Sequence, residues 1–241
     1  MVSLHDAADV THAGGMRATR AFPTRMHSHL DPFVLFERFH IGADQGFPSH
    51  RHAGFEICTY MLEGGMAHDD SLDNAGTARA GEAMRISAGR GIEHSEFPAD
   101  GPCTGLQLWL NLSRERKEIE PSYADATAEQ LPTAESDGAT VTTVVGEGSP
   151  LAFETPMTYR DVALAENASW SWDRPSDWAG FCFVLSRSGT VDDASLEPGQ
   201  FCTVAAGDDT VTLSSDDGCR VIAVAGRPHD EPIHQRGPIV A

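Results

Sequence analysis

The stretch His50-Arg51-His52-Ala53-Gly54-Phe55-Glu56-Ile57-Cys58-Thr59-Tyr60-Met61-Leu62-Glu63-Gly64 decides the fold. From Gly54 to Leu62 it is a short apolar run closed by glycine, which is the pattern of a β-strand. His50 and His52 come just before that run, and because strand side chains alternate, both imidazoles face the same way. Working outward, Gly180-Phe181-Cys182-Phe183-Val184-Leu185 reads as another buried strand. Leu106, Leu108, Leu110 and Leu112 alternate with Gln107, Trp109 and Asn111, the period of a strand with one face on a core. Alternation does not say which face is inside. Helix signal is confined to a short piece around Arg114 to Ile119, so the expected fold class is all-β.

A faint internal repeat divides the chain. Ala53-Gly54-Phe55, opening a strand that ends at Gly64, is matched by Ala179-Gly180-Phe181, opening one that ends at Gly189. Arg79-Ala80-Gly81-Glu82 is matched in the same order by Glu197-Pro198-Gly199-Gln200. Two copies of one β-sandwich follow from this reading. The acidic, Ala/Thr/Ser-rich stretch from Ser122 to Gly138 reads as the linker, which places the domains at 1–125 and 126–241.

Composition narrows the partners. With 36 acidic residues against 17 basic ones, the formal net charge is -19, and Lys117 is the only lysine. Such a charge repels phosphate backbones and anionic lipid surfaces, so neither direct nucleic-acid binding nor a membrane-surface role is expected. Acidic residues spread along the chain read either as a well-solvated surface that keeps the protein soluble or, with lysine almost absent, as adaptation to a high-salt cytoplasm, as in a halophilic prokaryote, where salt screens self-repulsion. Cys58, Cys103, Cys182, Cys202 and Cys219 are too scattered for a disulfide framework and read as reduced core thiols. The start of the chain has no basic stretch followed by an apolar one, and no apolar run approaches a membrane span of about 20 residues. A cytoplasmic location is expected.

The histidines carry the chemistry. Gly89-Arg90-Gly91-Ile92-Glu93-His94-Ser95-Glu96 offers a second i, i+2 pair, His94 and Glu96, introduced by glycines that can turn a backbone sharply. If this strand meets the one carrying His50 and His52, three imidazoles and one carboxylate converge on a point. Such donors suit Fe(II), and also Zn, Mn, Ni, Cu or Co, and four protein ligands leave open positions for a reacting molecule.

These residues resemble a known family. His50-x-His52-x-x-x-Glu56 followed by Gly64, then Gly81 and His94, looks like the two-part cupin metal motif. More narrowly, His52-Ala53-Gly54-Phe55-Glu56, His68-Asp69-Asp70-Ser71 and Ser87-Ala88-Gly89-Arg90-Gly91-Ile92-Glu93-His94-Ser95-Glu96 resemble signature blocks of pirins. Gly105-Leu106-Gln107-Leu108-Trp109, Glu120-Pro121-Ser122-Tyr123 and Gln235-Arg236-Gly237-Pro238 are similar to the family as well. Arg51 and Ala53 depart from the Pro and Arg common in the family's first block. The resemblance implies a bicupin of two β-barrel or jelly-roll-like sandwiches with one divalent metal, iron first, in the N-terminal domain. Its ligands map onto His50, His52, His94 and Glu96. In many other cupins the carboxylate comes from the first motif, here Glu56, and spacing alone leaves that choice open. Shifting the ligand pair by the offset between Gly54 and Gly180 lands on Ser176 and Trp178, so no metal is expected in the second half.

The activity implied is that of a quercetin 2,3-dioxygenase-like oxygenase, using O₂ to open a flavonol or related enol. Glu96 is then either the base for the substrate hydroxyl or an inert ligand. The alternative is a redox-sensing metal-binding regulatory protein that acts through a protein partner. Among other candidates, His27-Ser28-His29 lacks a following motif and suits a surface or inter-domain role. His68 reads as a hydrogen-bonded strand-end residue near the cavity. Arg90 either anchors an anionic substrate or holds its turn, Cys58 reads as core, and Trp109 either lines the cavity or packs between sheets.

Overall fold

Alternating apolar residues and frequent glycine turns fold into antiparallel strands throughout residues 2–207 and 210–241, the part of the chain described by this computed structural model. The strands form two units. One gathers Ala8–Gln130, Pro150–Thr155 and His229–Ala241; the other gathers the residues up to Ala7, Leu131–Ser149 and Pro156–Pro228. Among the described residues, no helix is long and apolar enough to cross a membrane.

The first unit is organised by two long strands, Phe55–Asp70 and Ile92–Asn111, which pair from Phe55↔Asn111 to Asp70↔His94. The register shifts twice between Met61 and Gly65, and such bulges bend a strand and increase its twist. Ile92 and Trp109, near opposite ends of one strand, consequently pack in the same apolar cluster with Phe55 and Ile57. The sheet curls over itself as a barrel-like sandwich. Phe33–Ile41 flanks the later half of Ile92–Asn111, and Phe47–His52 flanks its beginning. Leu106, Leu108, Leu110 and Leu112 are all fully buried, while Gln107 and Trp109, on the alternate face, border a cavity.

The second unit lays a seven-stranded sheet against a four-stranded one. Its core joins Trp172, Val211 and Leu213 of the smaller sheet to Val162, Cys182 and Val184 of the larger. Trp178, on which the sequence offset from His52 falls, packs against this core. All five cysteines are buried and free.

The repeat is visible at backbone level in the second pair of segments. Gly81 and Gly199 both have φ of 83°. In each turn the residue after glycine donates its amide to the carbonyl three residues back, Glu82 to Arg79 and Gln200 to Glu197. Its side-chain oxygen accepts the amide of that same residue in return. The first pair matches less closely, since Gly54 has φ of 84° ahead of its strand whereas Gly180 lies inside Ala179–Ser186.

Two expectations need correction. The stretch from Ser122 to Gly138 is not a plain linker: Ser122–Ala126 pairs with Ala83–Ser87, and Thr133–Ser136 pairs with Ala139–Val145. Tyr123 packs against the apolar clusters of the first unit, and that burial outweighs the acidity of its neighbours. The helical piece after residue 113 reduces to one 3-10 turn, Arg114–Arg116.

Candidate metal centre

His50 and His94 are register partners on adjacent antiparallel strands, as are His52 and Ile92. Directly opposed strand residues point to the same face, which brings His94 beside the His50/His52 pair. The Nε2 atoms of His50 and His52 lie 2.9 Å apart, and those of His94 and His50 lie 3.1 Å apart. His52 and His94 are buried and His50 is half-buried. The expected meeting of three imidazoles from two chain segments is therefore present, with the strands side by side in one sheet.

Each ring is turned so that Nε2 faces the centre. His50 Nδ1 donates to the Pro48 carbonyl at 2.9 Å, and His52 Nδ1 donates to the Pro238 carbonyl at 3.1 Å. His94 Nδ1 lies 3.5 Å from Nδ1 of His68. Burial, followed by the neighbouring imidazoles, pushes both His52 and His94 down to about 3, so both rings stay neutral with their lone pairs available. One shared proton can satisfy only one of these close nitrogen pairs. A divalent ion satisfies all three, and ligands about 2.1 Å from an ion and at right angles lie roughly 3.0 Å apart. The cluster of His50, His52 and His94 fits a metal site.

Glu96 lies two residues beyond His94 on the same strand, between Phe47 and His68 in register. It is not among the three residues whose donor atoms lie within 4.8 Å of one another. Its carboxylate is buried, lines the same cavity, accepts from Gln107 Nε2 at 3.5 Å through Oε2, and leaves Oε1 with no hydrogen-bond partner. A buried, unpartnered carboxylate oxygen beside three converging imidazoles suits either a cation or a proton. Glu56 is turned elsewhere. The Phe55 ring lies 5.1 Å from that of His52, so the next residue points to the opposite face. There Glu56 Oε2 accepts the amides of Glu154 at 3.0 Å and Thr155 at 3.3 Å.

The cavity beside the histidines has a volume of about 310 Å³. Leu35, Phe47 and Trp109 give it apolar walls, Gln107 and Gln235 add amides, and Pro238 closes one side. Trp109 packs 5.1 Å from the His52 ring and donates its indole N–H to Gln107 Oε1 at 3.2 Å. On another wall Glu37 accepts from Arg20 Nε at 2.7 Å and pairs with His12 Nε2 at 2.9 Å. Burial raises the Glu37 pKa, but His12 and Arg20 outweigh it and hold the carboxyl below its ordinary range.

The remaining sequence candidates fall outside the centre. His29 Nε2 pairs with Gln235 Oε1 at 2.9 Å. Arg90 pairs with Glu120 at 2.6 Å and anchors its turn through backbone bonds to Ile119 and Arg51. Cys58 is buried, and burial pushes its thiol up to about 12. His68 is fully buried near the end of its strand, bonded to Asp70. Sequence reasoning missed His12, Arg20 and Glu37. Arg20 and Glu37 are register partners, a pairing that shows only once their strands are aligned.

Comparison with known proteins agrees with this geometry. Residues 15–110 match the family model for pirin, and residues 159–241 match that for the pirin C-terminal cupin domain. The chain is therefore a bicupin. It is 39% identical to rat pirin over 238 residues, covering 94% of this chain and 81% of the rat protein. It is 37% identical to a tomato pirin-like protein, covering 88% of this chain and 76% of that one. A solved structure described as quercetin 2,3-dioxygenase from Acinetobacter baumannii shares the fold, with a TM-score of 0.91 at 23% identity over 100% of this chain and 83% of its own. Both halves matched, and more than a third of residues shared across nearly the whole length, mean that the chain belongs to the pirin family.

Proposed function

We propose that this protein is a metal-dependent dioxygenase acting on a flavonol or a related enol, with His50, His52 and His94 holding the ion and Glu96 serving as its fourth ligand or as base. The observation that carries the reading is the apolar-walled cavity of about 310 Å³ lined by His50, His52 and Glu96, whose Oε1 has no hydrogen-bond partner. Concave, largely apolar space with a few convergent polar groups is the usual character of a small-molecule site. A redox-active divalent ion, iron first, supplies Lewis acidity and one-electron chemistry toward O₂ when bound.

The chain's own residues do the rest. Leu35, Phe47 and Trp109 exclude water and take the faces of a planar substrate. Glu96 Oε1 accepts the proton of the substrate's enol hydroxyl, and Gln107 steadies the other carboxylate oxygen. Arg20 and His12, fixed by Glu37, present a polar wall for further hydroxyl groups.

Quercetin is the first probe because a protein of this fold is described as a quercetin 2,3-dioxygenase; the cavity and donor set, rather than that likeness, support the reading. The test is to load the full chain anaerobically with Fe(II), admit ¹⁸O₂ with quercetin, and follow loss of the flavonol absorbance. Ring opening with both oxygen atoms retained in the products is expected. Bound iron without consumption of quercetin or simpler enols would contradict the proposal and favour a regulatory protein read by a protein partner.

A further inference from the structure

Two of the three histidines rest their outer nitrogens on carbonyl oxygens; the third is backed by a second imidazole and a carboxylate. His68 Nε2 lies 3.1 Å from Asp70 Oδ2, both side chains fully buried. Asp70 is itself clamped: its Oδ1 accepts the amides of Leu72 at 2.8 Å and Asn74 at 3.2 Å, and Asn74 Nδ2 reaches both carboxylate oxygens. The His68 ring is stacked on Tyr123, with centroids 4.5 Å apart and an interplanar angle of 10°. Its remaining nitrogen, Nδ1, faces Nδ1 of His94 at 3.5 Å.

Proton placement follows from donor and acceptor chemistry. A carboxylate only accepts, so a His68 ring carrying a single proton holds it on Nε2, toward Asp70, and Nδ1 is left as an acceptor. His94 must then carry its proton on Nδ1, which leaves Nε2 bare and aimed at His50 Nε2, 3.1 Å away. We infer that Asp70, acting through His68, is a positioning residue that sets the tautomer and ring orientation of His94 and thereby the metal affinity of the cluster. The inference rests on the metal-binding part of the proposed function. Partners behind a ligating histidine typically change metal affinity by about 10- to 100-fold.

The experiment uses the full chain labelled with ¹⁵N-histidine, alongside Asp70→Asn and His68→Gln. Ring ¹⁵N shifts of the metal-free wild type are expected to show His94 protonated on Nδ1 and His68 on Nε2. Calorimetric titration with Zn²⁺ is expected to give dissociation constants about 10- to 100-fold weaker for both variants, with circular dichroism unchanged. A wild-type His94 protonated on Nε2 overturns the inference without recourse to any variant. Tight wild-type binding that both folded variants match also overturns it. A wild type that binds no divalent ion contradicts the proposed function instead, and the His94 tautomer still decides the positioning role.

Discussion

His50 and His94 sit directly opposite one another on neighbouring antiparallel strands, and their Nε2 atoms approach to 3.1 Å while His50 turns its Nδ1 to the Pro48 carbonyl. In a metal-free protein this closeness sets unsatisfied lone pairs against each other. His50→Ala is therefore expected to leave the metal-free protein within about 1 kcal/mol of wild type, while abolishing the rise in melting temperature that a divalent ion produces. Thermal scans with and without Zn²⁺ check this, and an undiminished rise in the variant would remove His50 from the ligand set.

Glu96 supplies a carboxylate with one oxygen on Gln107 and the other free. Glu96→Gln keeps the shape and leaves the three imidazoles in place. Metal is expected to remain bound more weakly, with turnover falling by about 10²-fold or more, the usual contribution of a general base. Unchanged turnover in the metal-loaded variant would reduce Glu96 to a ligand or a bystander.

Glu56 predicts a pH dependence of stability. Burial raises its carboxyl to about 7 against an ordinary 4.5, only partly offset by the Glu154 and Thr155 amides and Arg85. The folded protein keeps a proton that the unfolded chain releases, so this group's contribution to stability falls as pH rises from about 4.5 to about 7 and is level above that. The change is on the order of 3 kcal/mol. Glu56→Gln lacks it. Denaturation of both proteins between pH 5 and pH 8 should show the variant gaining on wild type up to about pH 7 and the difference levelling off above it, with the titration of His52 and His94 cancelling in the difference. A constant difference would mean that Glu56 is ionised throughout.

Gly54 links the backbone to the metal site. It adopts φ of 84°, and a Cβ there would collide with the carbonyl of Val240. Val240 in turn donates its amide to Ala53, close to the Pro238 carbonyl that holds His52. Gly54→Ala is expected to cost at least about 1–2 kcal/mol from the left-handed backbone alone, and to speed hydrogen exchange at the Val240 amide. Metal affinity should fall with it as His52 loses its partner; an unaltered affinity would show that the Pro238 contact is incidental.

Much of this site was legible because its three histidines and the neighbouring Glu96 come as i, i+2 pairs. His50 with His52 and His94 with Glu96 each declare a common face once the segments are recognised as strands, and pairing of those strands does the rest. Glu56 was in contention on spacing, and strand parity with Phe55 turned it away. The backing of His94 was not legible, because it depends on which residue of Phe55–Asp70 lies beside which residue of Ile92–Asn111 after two bulges. Arg20 and Glu37 meet across two consecutive strands, Arg17–Phe22 and Phe33–Ile41, whose register no local pattern announces. The four leucines marked their strand without revealing which face was buried. Around Tyr123, the acidity of the surrounding residues concealed a strand.

Metal content tests most directly whether the three histidines hold one ion. The full chain and its His94→Ala variant, purified side by side and reconstituted with Fe(II) under nitrogen, should be desalted and analysed by plasma mass spectrometry. About one ion per wild-type chain and little in the variant is predicted. No bound ion in the wild type, or equal content in both proteins, would contradict it.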